Sequence, residues 1–324
     1  MKMKKLLILV LIFFYCSIAW AQTGKISGYV YNGSADSSIV PNIEVNLLVN
    51  KGHSVIDDSS YIQRTDAKGK FEFDNLKLDS TLIYYPRATF KSIVYYGQAV
   101  RFTDKQNSFE NDVVVYDTTS NENKIFFQLE HLFIDTGPGK LLIREIFIAN
   151  TTGDKTFIGK NFDEPAKHYV LQFPLPPTAE DVEILTPEAQ NWVRIEGTTL
   201  YDNELMSPGS RQFSYRFVVP FKKKEGQLTR LIKYPIGAVN IFVSKPGLTI
   251  EGPGVQAMGE FSIRGTSYQR YSVAHLMPGM ELNLVIKNLP GRSIPIQWLV
   301  LAGVIVLLAA GFAYTIIKSK KAKP

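Results

Sequence analysis

Four histidines, one cysteine and a scatter of carboxylates are the groups in this 324-residue chain that catalysis or metal binding would call on. Their spacing gives such chemistry little support. His53, His131, His168 and His275 lie too far apart for an H-x-x-x-H or H-x-x-E-H ligand pair. The stretch TDAKGKFEFDNL (Thr65 to Leu76) has the acids and glycine of a calcium loop, but Asp66–Ala67–Lys68 puts an alanine and a cation where oxygen ligands belong. Asp57, Asp58 and Asp74 stay open as an irregular calcium site, against the plainer reading that they solvate turns. Lys68–Gly69–Lys70 and GPGKLL (Gly137 to Leu142) lack the phosphate-loop spacing, and neither opens a helix. There is no G-x-S-x-G elbow. Cys16 follows Tyr15, where a lipidation site would need a small residue. The residues point to no catalytic group, no cofactor and no metal.

Aromatic side chains are the remaining candidates. LIYYP (Leu82 to Pro86) and SIVYYG (Ser92 to Gly97) place Tyr84, Tyr85, Tyr95 and Tyr96 on two short segments that read as neighbouring strands. Side chains alternate along a strand, so one ring of each pair faces inward and the other outward. The outward rings, with Arg87 and Arg101 nearby, would make a platform for a glycan or peptide; the alternative is cross-strand packing alone. Trp192 reads as a core or sheet-face residue, and FPLPP (Phe173 to Pro177) as a strand end leaving its sheet.

The elements that must position these groups are strands. Short alternating runs, punctuated by Gly, Pro, Asn and Asp, fill the chain between its ends. Ile26, Gly28 and Val30 share one face; so do Ile43, Val45, Leu47 and Val49. Phe71 and Phe73 alternate, followed by Leu76 and Leu78, and the segment around Gly69 reads as the turn of a β-hairpin. Further strands are expected at 81–85, 92–96, 112–116, 141–150, 168–176, 211–221, 238–244 and 281–291, with one helical turn near 180–188.

The G-x-V of Gly28 and Val30, the Pro41-led turn into IEVNLLV and the series Thr65-x-x-x-Gly69-x-Phe71-x-Phe73-x-x-Leu76 together resemble a transthyretin-like or carboxypeptidase-regulatory-like domain. The resemblance covers residues 24–118, about a third of the chain, and departs from the family's pattern in the longer 51–61 loop. It implies a small Greek-key β-sandwich of the kind appended to many exported proteins without catalytic function.

The two ends are of another kind. Three lysines in residues 1–5, an apolar run and Ala19–Trp20–Ala21 form a secretory signal with cleavage between Ala21 and Gln22. With that signal removed no thiol is left in the chain. Residues 296–317 contain no charge over 22 positions, about 33 Å as a helix, enough to cross a hydrocarbon core. Trp298 and Tyr314 sit near its ends as interfacial aromatics, and Lys318, Lys320, Lys321 and Lys323 mark the cytoplasmic side. Ala309 and Ala313 make a small-x-x-x-small step for packing on another helix. The two ends hold seven of the 36 basic residues and no acid, leaving 29 against 30 in between. The overall +6 therefore reflects topology, and a nucleic-acid partner has no support.

The expected architecture is all-β, with two β-sandwich domains and one C-terminal transmembrane helix. The segments are a signal (1–21), a transthyretin-like domain (22–118), a second β-rich domain (119–291), a stalk (292–295) that holds that domain close to the bilayer, the span (296–317) and a basic tail (318–324). The expected function is non-enzymatic binding or scaffolding outside the cytoplasm, in the periplasm or at the cell surface. The chain would serve an envelope assembly, export or maturation complex, with other envelope proteins as partners. Glycan or cell-surface binding is one alternative, and the resemblance implies another, a regulatory piece of a peptidase system.

Overall fold

The computed structural model describes residues 23–290, apart from 53, 58–60, 223, 245 and 246, and within 300–308 the helical residues 300, 301, 303–306 and 308. Nearly every described element is a strand. Among the described residues no helix is long and apolar enough to cross a membrane. The cleavage site at Ala21 and Gln22, and Trp298, Tyr314, Lys318, Lys320, Lys321 and Lys323, lie outside the described residues, as do His53, Asp58 and Ala309. The chain divides into two compact units, one of residues up to Thr118 with Asp154–Thr156, the other of Thr119–Gly153 and the residues from Phe157 on.

The first unit is built from two five-stranded sheets. In one, Gly24–Asn32 is the hub, antiparallel to Lys70–Leu76 and parallel to Ser108–Glu110 and Val113–Val115. In the other, Glu44–Lys51 pairs with Leu82–Phe90, which pairs in turn with Ile93–Tyr96. The period-two faces read from the sequence are the buried ones: Ile26 and Val30, Val45 and Leu47, Phe71 and Phe73. Full burial of such side chains contributes about 1.5–3 kcal/mol each.

The segment around Gly69 is a turn, but not the turn of a hairpin. Ile62–Arg64 pairs with Glu44–Lys51 in one sheet, whereas Lys70–Leu76 pairs with Gly24–Asn32 in the other. The chain crosses between sheets here. Asp66 holds the corner by accepting from the backbone N–H groups of Lys68 and Lys70, both at 2.8 Å, which lowers its pKa. Gly69 takes φ +72, where a side chain is costly. Thr65 is buried and clamps the neighbouring segment, donating to Val40 O at 2.8 Å and accepting from Ile43 N at 3.0 Å.

Gly28 answers a different need. The segment entering Val113–Val115 crosses directly over it, with Asn111 N bonded to Ser27 O at 2.8 Å. A Cβ on Gly28 would lie 2.2 Å from the Asn111 carbonyl oxygen. Gly28→Ala is therefore expected to force two backbones apart and cost about 1–3 kcal/mol, read as a lower urea midpoint for the first unit. An unchanged midpoint would show that the crossing yields freely.

The second unit has a seven-stranded sheet in the order Glu180–Ile184, Gly209–Pro220, Lys140–Thr151, Ile125–Gly137, Ile236–Val243, Thr266–Leu276, Gln256–Ile263. All its neighbours are antiparallel except Ile125–Gly137 with Ile236–Val243. Two three-stranded sheets, Leu171–Pro174 with Thr199–Asp202 and Val193–Glu196, and Gly226–Leu231 with Glu281–Lys287 and Thr249–Glu251, share one hydrophobic core with it. The helical turn expected near 180–188 is displaced: Glu180–Ile184 is a strand, and a 3-10 turn follows at Pro187–Asn191. Trp192 ends that turn 37% exposed, so it is not a core residue. Phe173 is buried, and the strand ends at Pro174.

Candidate functional site

Alternation decides the four tyrosines of the first unit. Tyr84 and Tyr95 are buried, and both hydroxyls are engaged. Tyr84 donates to Lys77 O at 2.9 Å; Tyr95 donates to Tyr116 O at 3.0 Å and lies 2.9 Å from Thr156 Oγ1. Burial pushes the Tyr84 hydroxyl up to about 12. These two rings belong to the core and are removed from the expected platform. Tyr85 and Tyr96 lie on the opposite side of the sheet. Register places Arg87 directly across from Tyr96, which is 55% exposed, and Arg87 Nε donates to Asn46 Oδ1. Tyr85, Arg87 and Tyr96 thus share one outer face with exposed Val94, while Arg101 lies exposed in the loop after Val100.

A second and larger surface lies on the outer face of the seven-stranded sheet, and no local pattern in the sequence marks it. Register aligns Glu183, Arg216, Arg144, Phe133, Phe242, Arg270 and Gly259 in one row across all seven strands. Phe133 and Phe242 stack at 4.9 Å, Tyr268 meets Phe133 edge-on at 5.8 Å, and Phe261 lies 6.0 Å from Phe242. The Arg144 guanidinium sits 4.3 Å over the Phe133 ring, and that of Arg270 lies 5.4 Å from the Phe261 ring. These contacts hold the cations in place by their stems and faces. Arg216 is paired with Glu183, whereas neither Arg144 nor Arg270 has a carboxylate within ion-pair distance among the described residues. Three strand spacings separate those two arginines, about 14 Å. His131 packs beside Phe242 at 5.7 Å, and burial lowers its pKa, so it is a neutral packing residue here.

The strongest electrostatics is internal. Glu130, Glu145 and Tyr215 project from three adjacent strands of the large sheet into the core, all fully buried. Arg230 enters from the Gly226–Leu231 strand and meets Glu130 through its Nη2, with Nε 3.7 Å from Glu145. Tyr215 donates to Glu145 Oε2 at 2.5 Å. Burial is the first cause of the raised pKa of both carboxyls; Arg230 opposes it, and Glu145 ends at about 7. Glu145 Oε1 and Arg230 Nε have no hydrogen-bond partner among the described residues. The cluster has the composition of an acid–base site, but its groups are enclosed by hydrophobic side chains and face one another. Fully buried Asp202 pairs with half-buried Arg211 between sheets of this unit, and Arg211 also meets Glu204. Burial raises the Asp202 pKa.

The clefts offer no better centre. Surface clefts of about 380, 400 and 410 Å³ lie near Tyr271, Asp79 and Tyr234 respectively. The cleft near Asp79 is lined by Ser80 and Thr103 with Asp104, and Asp79 itself is engaged by Thr81 Oγ1 at 2.7 Å. No group of three His, Cys, Asp or Glu residues among those described could hold a metal ion, and Asp74 faces Lys25 at 3.4 Å. His168 is spent on Ile158 O at 2.8 Å.

What emerges is an all-β protein of several sheets, packed on hydrophobic cores that enclose a few charged groups, whose open faces carry rings and arginines. No protein-family model matches the chain, and no curated protein does. Among solved structures, a zinc metallopeptidase of the M1 type from Deinococcus radiodurans, in a mutant form bound to a Tyr-Ser-Ala substrate, is similar at 9% identity and a TM-score of 0.30. That alignment spans 51% of this chain and 42% of the peptidase. The major pilin SpaD of Corynebacterium diphtheriae is similar over 84% of both chains at 9% identity, with a TM-score of 0.23. The major pilin BcpA of Bacillus cereus is similar over 83% of this chain and 85% of its own, at 11% identity and a TM-score of 0.20. TM-scores of this size define no shared fold, and the functional reading rests on the chain's own geometry.

Proposed function

We propose that this chain is a non-enzymatic binding or scaffold protein that works outside the cytoplasm. It is anchored by residues 296–317 and serves as an accessory subunit of an envelope assembly, export or maturation complex. In this reading the first unit is a transthyretin-like sandwich and the second a further sandwich close to the bilayer. The observation that supports it best is the row on the seven-stranded sheet, where Arg144 and Arg270 stand ready on either side of an aromatic ridge. Arg144 over Phe133 and Arg270 beside exposed Phe261, both without a carboxylate partner among the described residues, suit an acidic partner protein with an apolar centre.

The test is co-purification of the full chain from membranes in mild detergent, beside Arg144→Glu/Arg270→Glu. A partner retained by the parent and lost from the variant is the expected result. Recovery of the parent as a lone monomer, or equal retention by both, would sink the proposal. Glycan binding is a second reading, favoured by Tyr96 standing open beside Arg87 on the first unit. It expects Tyr96→Ala to weaken binding on a glycan array.

A further inference from the structure

We infer that His275, Met277 and Met280 form a binding site for a soft monovalent metal ion of the copper(I) class. The site stands whether or not residues 296–317 are an anchor.

The sequence HLMPGM (His275 to Met280) places one imidazole and two thioethers close together in the chain. The fold then fixes their spacing. Met280 N donates to Met277 O at 3.1 Å, which closes a β-turn with Pro278 and Gly279 at its centre. Gly279 takes φ +89, as the third position of a type II turn requires, and proline sets the position before it. Ile232 ties the turn to the neighbouring strand. Its N–H donates to Met280 O at 2.8 Å, and its carbonyl accepts from Gly279 N at 2.9 Å. The first and last Cα atoms of such a turn lie less than about 7 Å apart. Met277 N donates to the Met280 sulfur at 3.2 Å, so that thioether is folded back over the turn. Both methionines are open to solvent, Met277 at 55% and Met280 at 46%.

His275 is two residues before Met277, at most about 7 Å of chain. Leu276 between them is buried, while His275 and Met277 are both exposed. His275 takes φ +57, a left-handed conformation uncommon for a residue with a Cβ, where the pairing with Ile236–Val243 passes over Gly237. Its imidazole has no hydrogen-bond or ion-pair partner among the described residues.

The donor set argues the ion. Thioether sulfur is a soft donor that favours copper(I), whereas magnesium and calcium take oxygen. Zinc sites are built from thiolate, imidazole and carboxylate, and the carboxylate next in the chain, Glu281, is turned to Asn283 Nδ2 at 3.4 Å. Met206 is buried, and exposed Met258 lies on the strand paired with residues 266–272, away from the turn.

The experiment uses the full chain, isotope-labelled at its methionine methyls, in mild detergent. It is titrated with silver(I), a redox-inert stand-in for copper(I), in chloride-free buffer. One equivalent is expected to shift the methyl signals of Met277 and Met280, assigned by Met277→Leu and Met280→Leu, and to leave those of Met206 and Met258 in place. Copper(I) held in ascorbate should shift the same two signals. His275→Asn removes the imidazole but keeps a residue that tolerates the left-handed backbone, and it should weaken binding at least about tenfold. All three residues are exposed, so the variants keep the fold, which circular dichroism checks. Equal shifts at Met258, shifts as large with zinc(II), an unchanged affinity in His275→Asn or no shift at one equivalent would each overturn the site.

Discussion

Replacing Arg230 by methionine is expected to destabilise the second unit by about 3–5 kcal/mol. Arg230 is 4% exposed at its side chain and is the only cation against two fully buried carboxyls among the described residues. Without it, Glu130 and Glu145 keep their desolvation cost and lose the charge that offsets it. A stability of about 5–15 kcal/mol is typical of a domain, so a loss of this size removes much of the total. Lysine does not restore the site, because one ammonium does not reproduce a guanidinium that faces Glu130 through Nη2 and Glu145 through Nε. The informative control removes the whole cluster: Glu130→Leu/Glu145→Leu/Arg230→Met with Tyr215→Phe, since Tyr215 would otherwise keep a buried hydroxyl without its acceptor. That variant is expected to be as stable as the parent or more so. Urea unfolding followed by circular dichroism, read on the second unit's transition, separates the outcomes. If Arg230→Met loses less than about 1 kcal/mol, the two carboxyls are protonated in the folded parent and the pair was never ionic.

How far such features can be read in sequence depends on whether they are local. Phe71, Phe73, Val45 and Leu47 alternate within one strand, and their burial follows from that phase alone. The corner at Asp66–Gly69 uses the same residues as a hairpin turn; which sheet receives Lys70–Leu76 depends on Gly24–Asn32, some 40 residues earlier. The strand Ile125–Gly137 is not among those the sequence predicts, because a bulge between Phe127 and Leu129 shifts the alternation and its outer side carries Phe133. Glu145 does carry a local signal: in LLIREIFIAN it occupies the inward phase of Leu141, Ile143, Phe147 and Ala149. Arg230 does the same between Leu228 and Ile232. What no local pattern provides is their meeting, since Arg230 and Glu130 are 100 residues apart. The arginine–aromatic row is hidden for the same reason, because it exists only once seven strands are in register.

The second large effect is on pH. Glu145 is held up to about 7, first by burial and then by the negative charge of Glu130, with Arg230 pulling the other way. Two carboxyls beside one guanidinium leave a net negative charge in the core if both ionise, so one proton is retained and the pair titrates together. An unfolded glutamate ionises near about 4.3. Between that value and about 7 the folded state holds a proton that the unfolded state has released. Stability contributed by the protonated carboxyl is complete below the unfolded pKa and is lost as pH rises through the folded one. The loss is on the order of 3 kcal/mol, from a displacement of between two and three pKa units. His131 acts in the opposite sense: its lowered pKa favours unfolding as pH falls below the ordinary histidine range. Asp202, raised by burial, acts in the same sense as Glu145. The parent's profile therefore mixes these contributions, and the difference between parent and Glu145→Gln isolates the carboxyl. Urea midpoints of the second unit from about pH 5 to 8 should fall in the parent relative to Glu145→Gln, and the gap should stop growing above about pH 7.5. Parallel profiles would mean that Arg230 outweighs burial and that both glutamates are ionised throughout. In that case the cluster is an ordinary ion triad, and its carboxyls add no slope to the stability of the second unit between about pH 6 and 8.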